Sequence, residues 1–588
     1  MHFVCGSCAR AITSEDARVV GDAAQKDGAR GLGRVAALGG GGKRKATKGL
    51  KPHRPSRRTQ RDFIRYNRKC AKLPIELYEV EVCVRKRCGL ASELKRKQVL
   101  LPHEFLGHLY LKHRARFHVL MGSPQDCYTY WWEIMRTKPA WFQEHCYRAS
   151  IEKNPELWFP CRVFGDDARV GKYRALLAVT LYSAVSKERR TRLKKVPSFV
   201  RLSSDLIPGL TDVRLWKALA WSLRCLGLNT YPSVGCFKEP LTGWRKKMAG
   251  KPILGEHHAA LVSMNGDWMW TADTLQFPWS YKSPGNAICH LCGACLFGDC
   301  AFTDFQHDAC HWDTTPSTTD YLSSPAAGLA PASSLPGWHL QMVSPELMHA
   351  GPLGHNLVVN GSVIKELADE GFWATPPPTG AWQEKLQLQL SAATAAFKQW
   401  QKDNQRSCNQ LRFTVRRLSL SSKQRVPELK AKAYNSLIVT EWLESECRKM
   451  SERWPSNSYF RDRATMVWGL AEFFRVLRRS PMWMSEEELE DLQVARDAAC
   501  FLFRKLAGIA LEEGAPLYPC RPKLHMLDEA HRLAQTTGEN PTSFWTFQDE
   551  DSMRILVDIA KSCHGSTVES STLHKWLMQF FAEPCHAD

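Results

Sequence analysis

Two acidic positions in this chain follow apolar runs that are typical of buried strands. Asp166, with Asp167 beside it, follows "LWFPCRVFG", and Asp267 follows "HHAALVSMNG". Two carboxylates brought together repel each other unless a divalent cation lies between them. Two-metal cleavage of a phosphodiester needs such a placement, because one ion activates the attacking oxygen and the other stabilises the leaving oxygen.

A third acid for such a site must come from the far end of the chain. The segment "SFWTFQDEDSMRILVDIAKSC" offers Asp549, Glu550 and Asp551, and Asp528 and Glu529 lie upstream. The group at 549–551 opens a predicted helix, where carboxylates are favourable for the helix dipole alone. The pattern therefore leaves both a catalytic and a purely structural role open.

A cysteine-rich segment follows Asp267 and could bind zinc. Cys289 and Cys292 form a CxxC pair, and "SPELMHAG" supplies Glu346 and His349 three residues apart, which suits the opposite side of one tetrahedral ion. The same segment holds further potential ligands, namely Cys295, Cys300, His307, Cys310 and His311. The alternative is a thiol-rich loop without metal.

The elements that would position these residues can be read from the hydrophobic pattern. Three β-branched and aromatic runs between residues 156 and 206 predict strands, and "TDVRLWKALAWSLRCLGLNTYP" predicts an amphipathic helix that a proline terminates. A fourth strand ends at Asp267. In a ribonuclease-H-like arrangement the first and fourth strands are neighbours, so Asp166 and Asp267 would meet. Alternatively, Asp267 caps a helix that begins at "WMWTADTL".

The rest of the 588-residue chain divides by composition. We predict a disordered basic arm at 1–70, a mainly helical region at 71–155, the first part of the core at 156–280, a zinc motif with a Pro/Ser-rich linker at 281–354, an all-α insertion at 355–520 and the end of the core at 521–588. The fold class is therefore α/β (α+β), with a mixed sheet interrupted by the zinc motif and the insertion.

The charge of the chain favours a polyanionic partner. The formal net charge is +20, and much of the excess lies in the arm, in "GGGGKRKATKGLKPHRPSRRTQRDFIRYNRK". Lysine and arginine bind phosphates with release of counterions, so nucleic acid is the favoured partner. A solvated tail without a function is the alternative for the arm. No membrane span is predicted, because "YRALLAVTLYSAV" is too short to cross a bilayer.

In motif order the chain resembles the cut-and-paste DNA transposases of the CACTA and Plavaka kind. The resemblance covers residues 150–588 and rests on five short stretches, which are "FGDDA", "NGDWMW", "CHLCGA" as the C(2)C motif, "ELMH" in place of the [C/D](2)H motif, and "FWTFQDEDSM" before the last acid. Glu346 stands where that family usually has Asp, and "MHFVCGSCARAI" provides no clear DNA-binding zinc finger.

The resemblance implies a DDE/D catalytic domain of ribonuclease-H-like fold. It makes Asp166, Asp267 and Glu550 the catalytic triad for two magnesium or manganese ions, and it makes Cys289, Cys292 and His349 structural zinc ligands, to which the spacing adds Glu346. The implied function is DNA cleavage and strand transfer in the nucleus, with homo-oligomerisation left open. A catalytically inactive, zinc-stabilised DNA-binding protein is the alternative.

Overall fold

The computed structural model describes residues 74–86, 92–171, 174–282, 285–375 and 379–583. The predicted basic arm at 1–70 lies outside the described residues. The described part is a mixed α and β structure with two small sheets. None of its described helices is both long enough and apolar enough to cross a membrane.

The first sheet is an antiparallel hairpin that the sequence analysis did not predict. It pairs β1 (Tyr78–Arg85) with β2 (Ser92–Val99) in the region predicted to be mainly helical. The sequence "YEVEVCVR" alternates apolar and polar residues, which buries Val80, Val82 and Val84 on one face. The predicted helices follow the hairpin: α1 (Pro102–Lys112), α2 (Arg114–Met121), α3 (Pro124–Thr137), α4 (Ala140–Gln143) and α5 (Arg148–Lys153).

The second sheet has four strands in the order β5-β4-β3-β6. Its members are β3 (Trp158–Arg169), β4 (Ala175–Ser183), β5 (Val196–Leu202) and β6 (His258–Asn265). The pairs β3/β4 and β4/β5 are antiparallel, whereas β3 and β6 are parallel. The predicted pairing of the first and fourth strands of this region is therefore confirmed.

A parallel pair needs a crossover between its strands, and this crossover contains a long helix. The predicted amphipathic helix is confirmed as α7 (Thr211–Leu228), which buries Leu215, Trp216, Leu219 and Leu223. Two shorter helices, α6 (Thr191–Lys194) and α8 (Gly243–Met248), lie on either side of it in the chain, and α9 (Trp268–Leu275) follows β6.

The remaining elements are helical. The segment after the cysteines contains the short helices α10 (Thr318–Ser323), α11 (Pro325–Gly328) and α12 (Leu347–Ala350). Five longer helices form a second hydrophobic core: α13 (Asn356–Asp369), α14 (Trp382–Asp403), α15 (Ala433–Arg453), α16 (Ser458–Arg479) and α17 (Glu486–Glu512). These five helices lie within residues 355–520, the range of the predicted all-α insertion.

Three further helices complete the described chain, and the last two return to the sheet. They are α18 (Pro522–Thr537), α19 (Phe547–Lys561) and α20 (Val568–Ala582). Met553 and Leu556 of α19 and Trp576 of α20 are buried in the same hydrophobic core as the four strands. The apolar face of α19 therefore brings its first turn, which carries Asp549 and Glu550, to the sheet.

Two glycines make room for an indole at the end of the parallel pair. A Cβ atom at Gly165 would lie 1.9 Å from the ring of Trp270, and one at Gly266 would lie 2.2 Å from the same ring. Trp270 is 7% exposed and belongs to the core. The indole can cross the strand ends only because both positions lack a side chain.

We therefore expect Gly165→Ala to lower the free energy of unfolding by about 1–3 kcal/mol, as overpacking a core usually does. Gly171→Ala is the matched control, since a Cβ atom there has no neighbour within 4 Å among the described residues. Chemical denaturation of both variants measures the difference. Equal stabilities of the two variants would contradict this account of the strand ends.

Candidate functional site

The two predicted acids lie side by side where β3 and β6 separate. The parallel register ends at the pair Phe164 and Asn265, so Asp166 and Asp267, each two positions further on, lie at the same level just beyond it. β3 continues beyond this point in its pairing with β4, where Asp166 is opposite Ala178. The pairing of two strands thus brings together acids that are 101 positions apart in the sequence.

The charge of Asp267 raises the pKa of both acids on β3, but Asp166 is more buried than Asp167. Burial, and then the charge of Asp267, raise the pKa of Asp166 to about 7. Burial and Asp267 also raise the pKa of Asp167, whose side chain is exposed and lies near the guanidinium of Arg201. The charge of His349 lowers the pKa of Asp166, so Asp166 is the acid on the side of His349.

Asp267 also has the structural role that the sequence analysis gave as the alternative. It is the N-cap of α9, and its Oδ1 atom accepts a hydrogen bond from the backbone N–H of Trp270. This bond fixes the residue whose indole lies on the two glycines. The cap uses one carboxylate oxygen, and Oδ2 has no hydrogen-bond donor among the described residues.

Glu346, His349 and Glu550 form a hydrogen-bonded chain beside these acids. His349 Nδ1 lies 2.6 Å from Glu346 Oε2, and His349 Nε2 lies 3.2 Å from Glu550 Oε1. Burial alone would lower the pKa of His349, but its bonds to the two glutamates raise it to about 10. At neutral pH the imidazolium therefore donates a proton towards a carboxylate on each side.

Glu550 is the member of the 549–551 group that contacts His349, with 3.2 Å between Glu550 Oε1 and His349 Nε2. The buried Asp549 carboxylate forms an ion pair with Lys195 at 2.6 Å, under the ring of Tyr182. Asp551 is half-buried and pairs with Arg554 on its own helix at 2.6 Å. The other two acids thus have structural partners elsewhere, which favours Glu550 among the sequence alternatives.

The predicted zinc set of Cys289, Cys292, Glu346 and His349 is divided in the structure. Glu346 caps α12, and its two oxygens accept the backbone N–H groups of Met348 at 2.8 Å, His349 at 2.7 Å and Thr546 at 3.1 Å. Both ring nitrogens of His349 face carboxylates. Neither residue has an atom left to complete the cysteine pair, so this part of the predicted ligand set is corrected.

Cys289 and Cys292 instead meet two residues of α18. One ligand atom from each of Cys289, Cys292, His525 and Glu529 lies within 4.8 Å of the others, and all four side chains are buried. Cys292 Sγ is 3.3 Å from His525 Nε2, and Cys289 Sγ is 3.5 Å from Glu529 Oε1. We call these four residues the thiolate cluster. It could hold a metal ion such as zinc.

The charges within the thiolate cluster agree with metal binding. Burial by itself would raise the pKa of Cys289, but hydrogen bonds from Cys292 and His525 hold it well below its usual value. Burial, and then the negative charge of Cys289, raise the pKa of Glu529 to about 7. A divalent cation would offset the negative charge gathered here, in a region closed to water.

One sequence signal could have found the second half of this cluster. His525 and Glu529 are four residues apart in "LHMLDEAH", and on a helix that spacing puts both side chains on one face. The sequence analysis considered Glu529 only as a candidate catalytic acid. Nothing local to the chain connects it to cysteines about 240 positions away.

The acid site and the thiolate cluster share a wall. A cleft beside the acids is lined by Gly266, Trp268, His290, Glu346, His349 and Lys523. Behind it, Ala350 and Met526 pack with Cys289 and Cys292 in one small apolar cluster. Ala350 follows His349, and Met526 follows His525, so the residues that line the cleft depend on the fold of the cysteine segment.

No known protein family matches this chain, and no curated protein sequence matches it either.

The corrected ligand set predicts which substitutions release zinc. Cys292→Ser and His525→Gln should each lose bound zinc and unfold at lower temperature, because the binding energy of a structural ion contributes to folding. His349→Gln should keep the zinc. Metal analysis of the purified full chain measures this, and zinc lost from His349→Gln but retained by His525→Gln would restore the sequence-derived set.

Proposed function

We propose that this chain cleaves and joins DNA phosphodiester bonds by two-metal chemistry, as a transposase-like enzyme acting in the nucleus. Asp166, Asp267 and Glu550 are the metal-binding acids in this proposal. The observation that carries it is the meeting of Asp166 and Asp267 where the pairing of β3 with β6 ends, beside His349, which contacts Glu550.

The strand order supports a ribonuclease-H-like core. Three antiparallel strands are followed by the crossover helix α7 and by β6, which pairs in parallel with the first strand of the core, β3. The sequence pattern and the resemblance both led to this order. An acid lies just beyond the paired part of each of these two strands, and the helix that carries Glu550 packs on the same sheet.

The donor set fits divalent cations. Carboxylate oxygens are the ligands that magnesium and manganese prefer. The raised pKa of Asp166 reflects burial beside a second carboxylate, a condition that a cation between the two acids would relieve. When bound, such ions activate an attacking water or 3′ hydroxyl and stabilise the leaving oxygen.

The chain's own residues supply positioning around the acids. His349 orients Glu550 through its Nε2 proton and is itself held by Glu346. The ammonium group of Lys523 lies 3.3 Å from the carbonyl oxygen of Leu353, in the wall of the cleft, where it would attract a phosphate. The cap formed by Asp267 fixes α9 and hence the orientation of that carboxylate.

The segment between α14 and α15, which we call the connector, is strongly basic and supports DNA as the partner. Residues 404–432, between α14 and α15, contain eight basic residues and one acid, Glu428. Arg406 pairs with Glu441, whereas the other seven form no ion pair within the described part of the chain: Arg412, Arg416, Arg417, Lys423, Arg425, Lys430 and Lys432.

The connector ends close to the acid site. Glu428 forms a 3.0 Å ion pair with Arg521, and Leu429 donates its backbone N–H to the carbonyl of Leu357 on α13. Arg521 is two residues before Lys523, which lines the cleft. A DNA backbone lying along the connector would therefore approach the acids.

The alternative function is that of a DNA-binding protein that has lost catalysis. One observation favours it: Asp267 serves as a helix cap and Glu550 is hydrogen-bonded to an imidazolium, so both acids have structural partners without any metal ion. The two functions make opposite predictions for the chemistry at Asp267.

Asp267→Asn separates these functions. Asparagine caps helices about as well as aspartate, so the melting temperature should stay unchanged or rise as carboxylate repulsion is relieved. Cleavage should fall by orders of magnitude, because the substitution removes a charge that the cations require. Nicking of supercoiled DNA with magnesium or manganese measures the loss.

The matched control is Asp273→Asn on the same helix, whose exposed carboxylate pairs with Lys282 outside the cleft. It should nick DNA like the unmodified chain. Equal nicking by Asp267→Asn would show the triad assignment to be wrong, and an unmodified chain that never nicks would favour the DNA-binding alternative.

The connector makes a prediction that is independent of catalysis. Replacing Arg412, Arg416, Lys423 and Arg425 with glutamine should weaken duplex DNA binding and flatten its salt dependence, by about 0.9 in the logarithmic slope for each lost phosphate contact. Binding titrations at several salt concentrations measure both effects.

A control with the same change in net charge replaces the exposed residues Lys153, Arg224, Lys247 and Lys251, which lie outside the connector. If both sets of substitutions weaken DNA binding equally, the connector is not a specific binding surface and only the overall charge matters.

A further inference from the structure

A second group of potential ligands lies next to the thiolate cluster. Ligand atoms of His311, His525 and Asp528 lie within 4.8 Å of one another. His311 and His525 are 0% exposed and Asp528 is 1% exposed. His525 belongs to both groups, and its two ring nitrogens could serve one group each.

Several polar atoms in this second group have no hydrogen-bond partner in the described structure. They are both ring nitrogens of His311, Nδ1 of His525 and Oδ2 of Asp528. Leaving one buried polar atom unpaired costs about 1–3 kcal/mol, and most such atoms in proteins are paired. Unpaired atoms that converge from three residues indicate a bound species between them.

The partners of the same residues explain why these particular atoms are free. The Nε2 atom of His525 faces Cys292 Sγ at 3.3 Å, which leaves Nδ1 on the other side of the ring. The Nε atom of Arg496 donates to Asp528 Oδ1 at 2.6 Å, which leaves Oδ2. His525 and Asp528 thus each have one atom engaged and another left for the second group, whereas both ring nitrogens of His311 are unpaired among the described residues.

The chemistry of the free atoms suits a metal ion. Two imidazole nitrogens and one carboxylate oxygen form a donor set common for zinc. The ring of Trp312 stacks on His525, with centroids 5.6 Å apart, and helps to close the site to solvent. A single buried water could also pair with these atoms, and the experiment below distinguishes the two.

We propose that His311, Asp528 and Nδ1 of His525 bind a second divalent cation of the zinc type. The ring of His525 then bridges this ion and the ion in the thiolate cluster, and its Nδ1 proton is released to solvent. The bridge would join the cysteine segment, α18 and, through Arg496, helix α17 of the helical block. The inference does not depend on the proposed DNA chemistry.

The test is metal stoichiometry of the purified full chain, loaded with zinc or with cobalt(II). We expect two ions per chain besides any at the acid site, so the ions are counted after dialysis against excess magnesium, which would occupy the carboxylates there. His311→Gln should hold one ion and keep the cobalt–thiolate charge-transfer absorption of the cluster. Asp528→Asn, which retains an oxygen for Arg496, should give the same result and serves as a second variant if His311→Gln fails to fold.

His355→Gln is the control, because His355 is also buried but lies against Phe503 and belongs to neither group. It should keep two ions. One ion per chain in the unmodified protein would overturn the proposal and assign the unpaired atoms to a water molecule. Two ions in both His311→Gln and Asp528→Asn would also overturn it, whereas no bound metal at all would reject the thiolate cluster as well.

Discussion

The parallel pairing of β3 with β6 is the constraint on which the rest of the site depends. It sets Asp166 beside Asp267 at a level where the strands have separated, and it aligns Gly165 with Gly266. The two glycines admit the indole of Trp270, and the cap on that residue fixes the Asp267 carboxylate. The position of the acids is thus determined by packing as well as by pairing.

The sequence predicts this part of the molecule well, because each step has a local signal. Short β-branched runs indicate the strands, a 3.6-residue period indicates α7, and the strand-strand-strand-helix-strand order restricts the pairing. The sequence also predicts both roles of Asp267, as a metal-binding acid and as a helix cap. The structure shows that the cap is formed and that the same residue also faces Asp166.

The parts that could not be predicted depend on contacts that leave no local signal. A glutamate before a short helix looks the same whether it caps that helix or binds zinc, so Glu346 and His349 were assigned to the cysteines. The true neighbours of the cysteines, His525 and Glu529, lie on a helix that follows the whole helical block. The hairpin at 78–99 has alternating apolar residues, a pattern that indicates a strand. The prediction of a mainly helical region at 71–155 did not take this pattern into account.

The shared wall explains why a carboxylate and a thiolate pair are neighbours in the sequence. The cysteine segment packs behind His349 and the cleft, so a metal ion held there would stabilise the surroundings of the acids. The central claim is that Asp166, Asp267 and Glu550 bind two divalent cations. Anomalous diffraction from crystals of the full chain soaked in manganese tests it most directly. The account predicts two manganese peaks among these three carboxylates, about 3.5–4 Å apart as in other two-metal sites. Fully occupied manganese elsewhere in the crystal with no peak at these acids would contradict it.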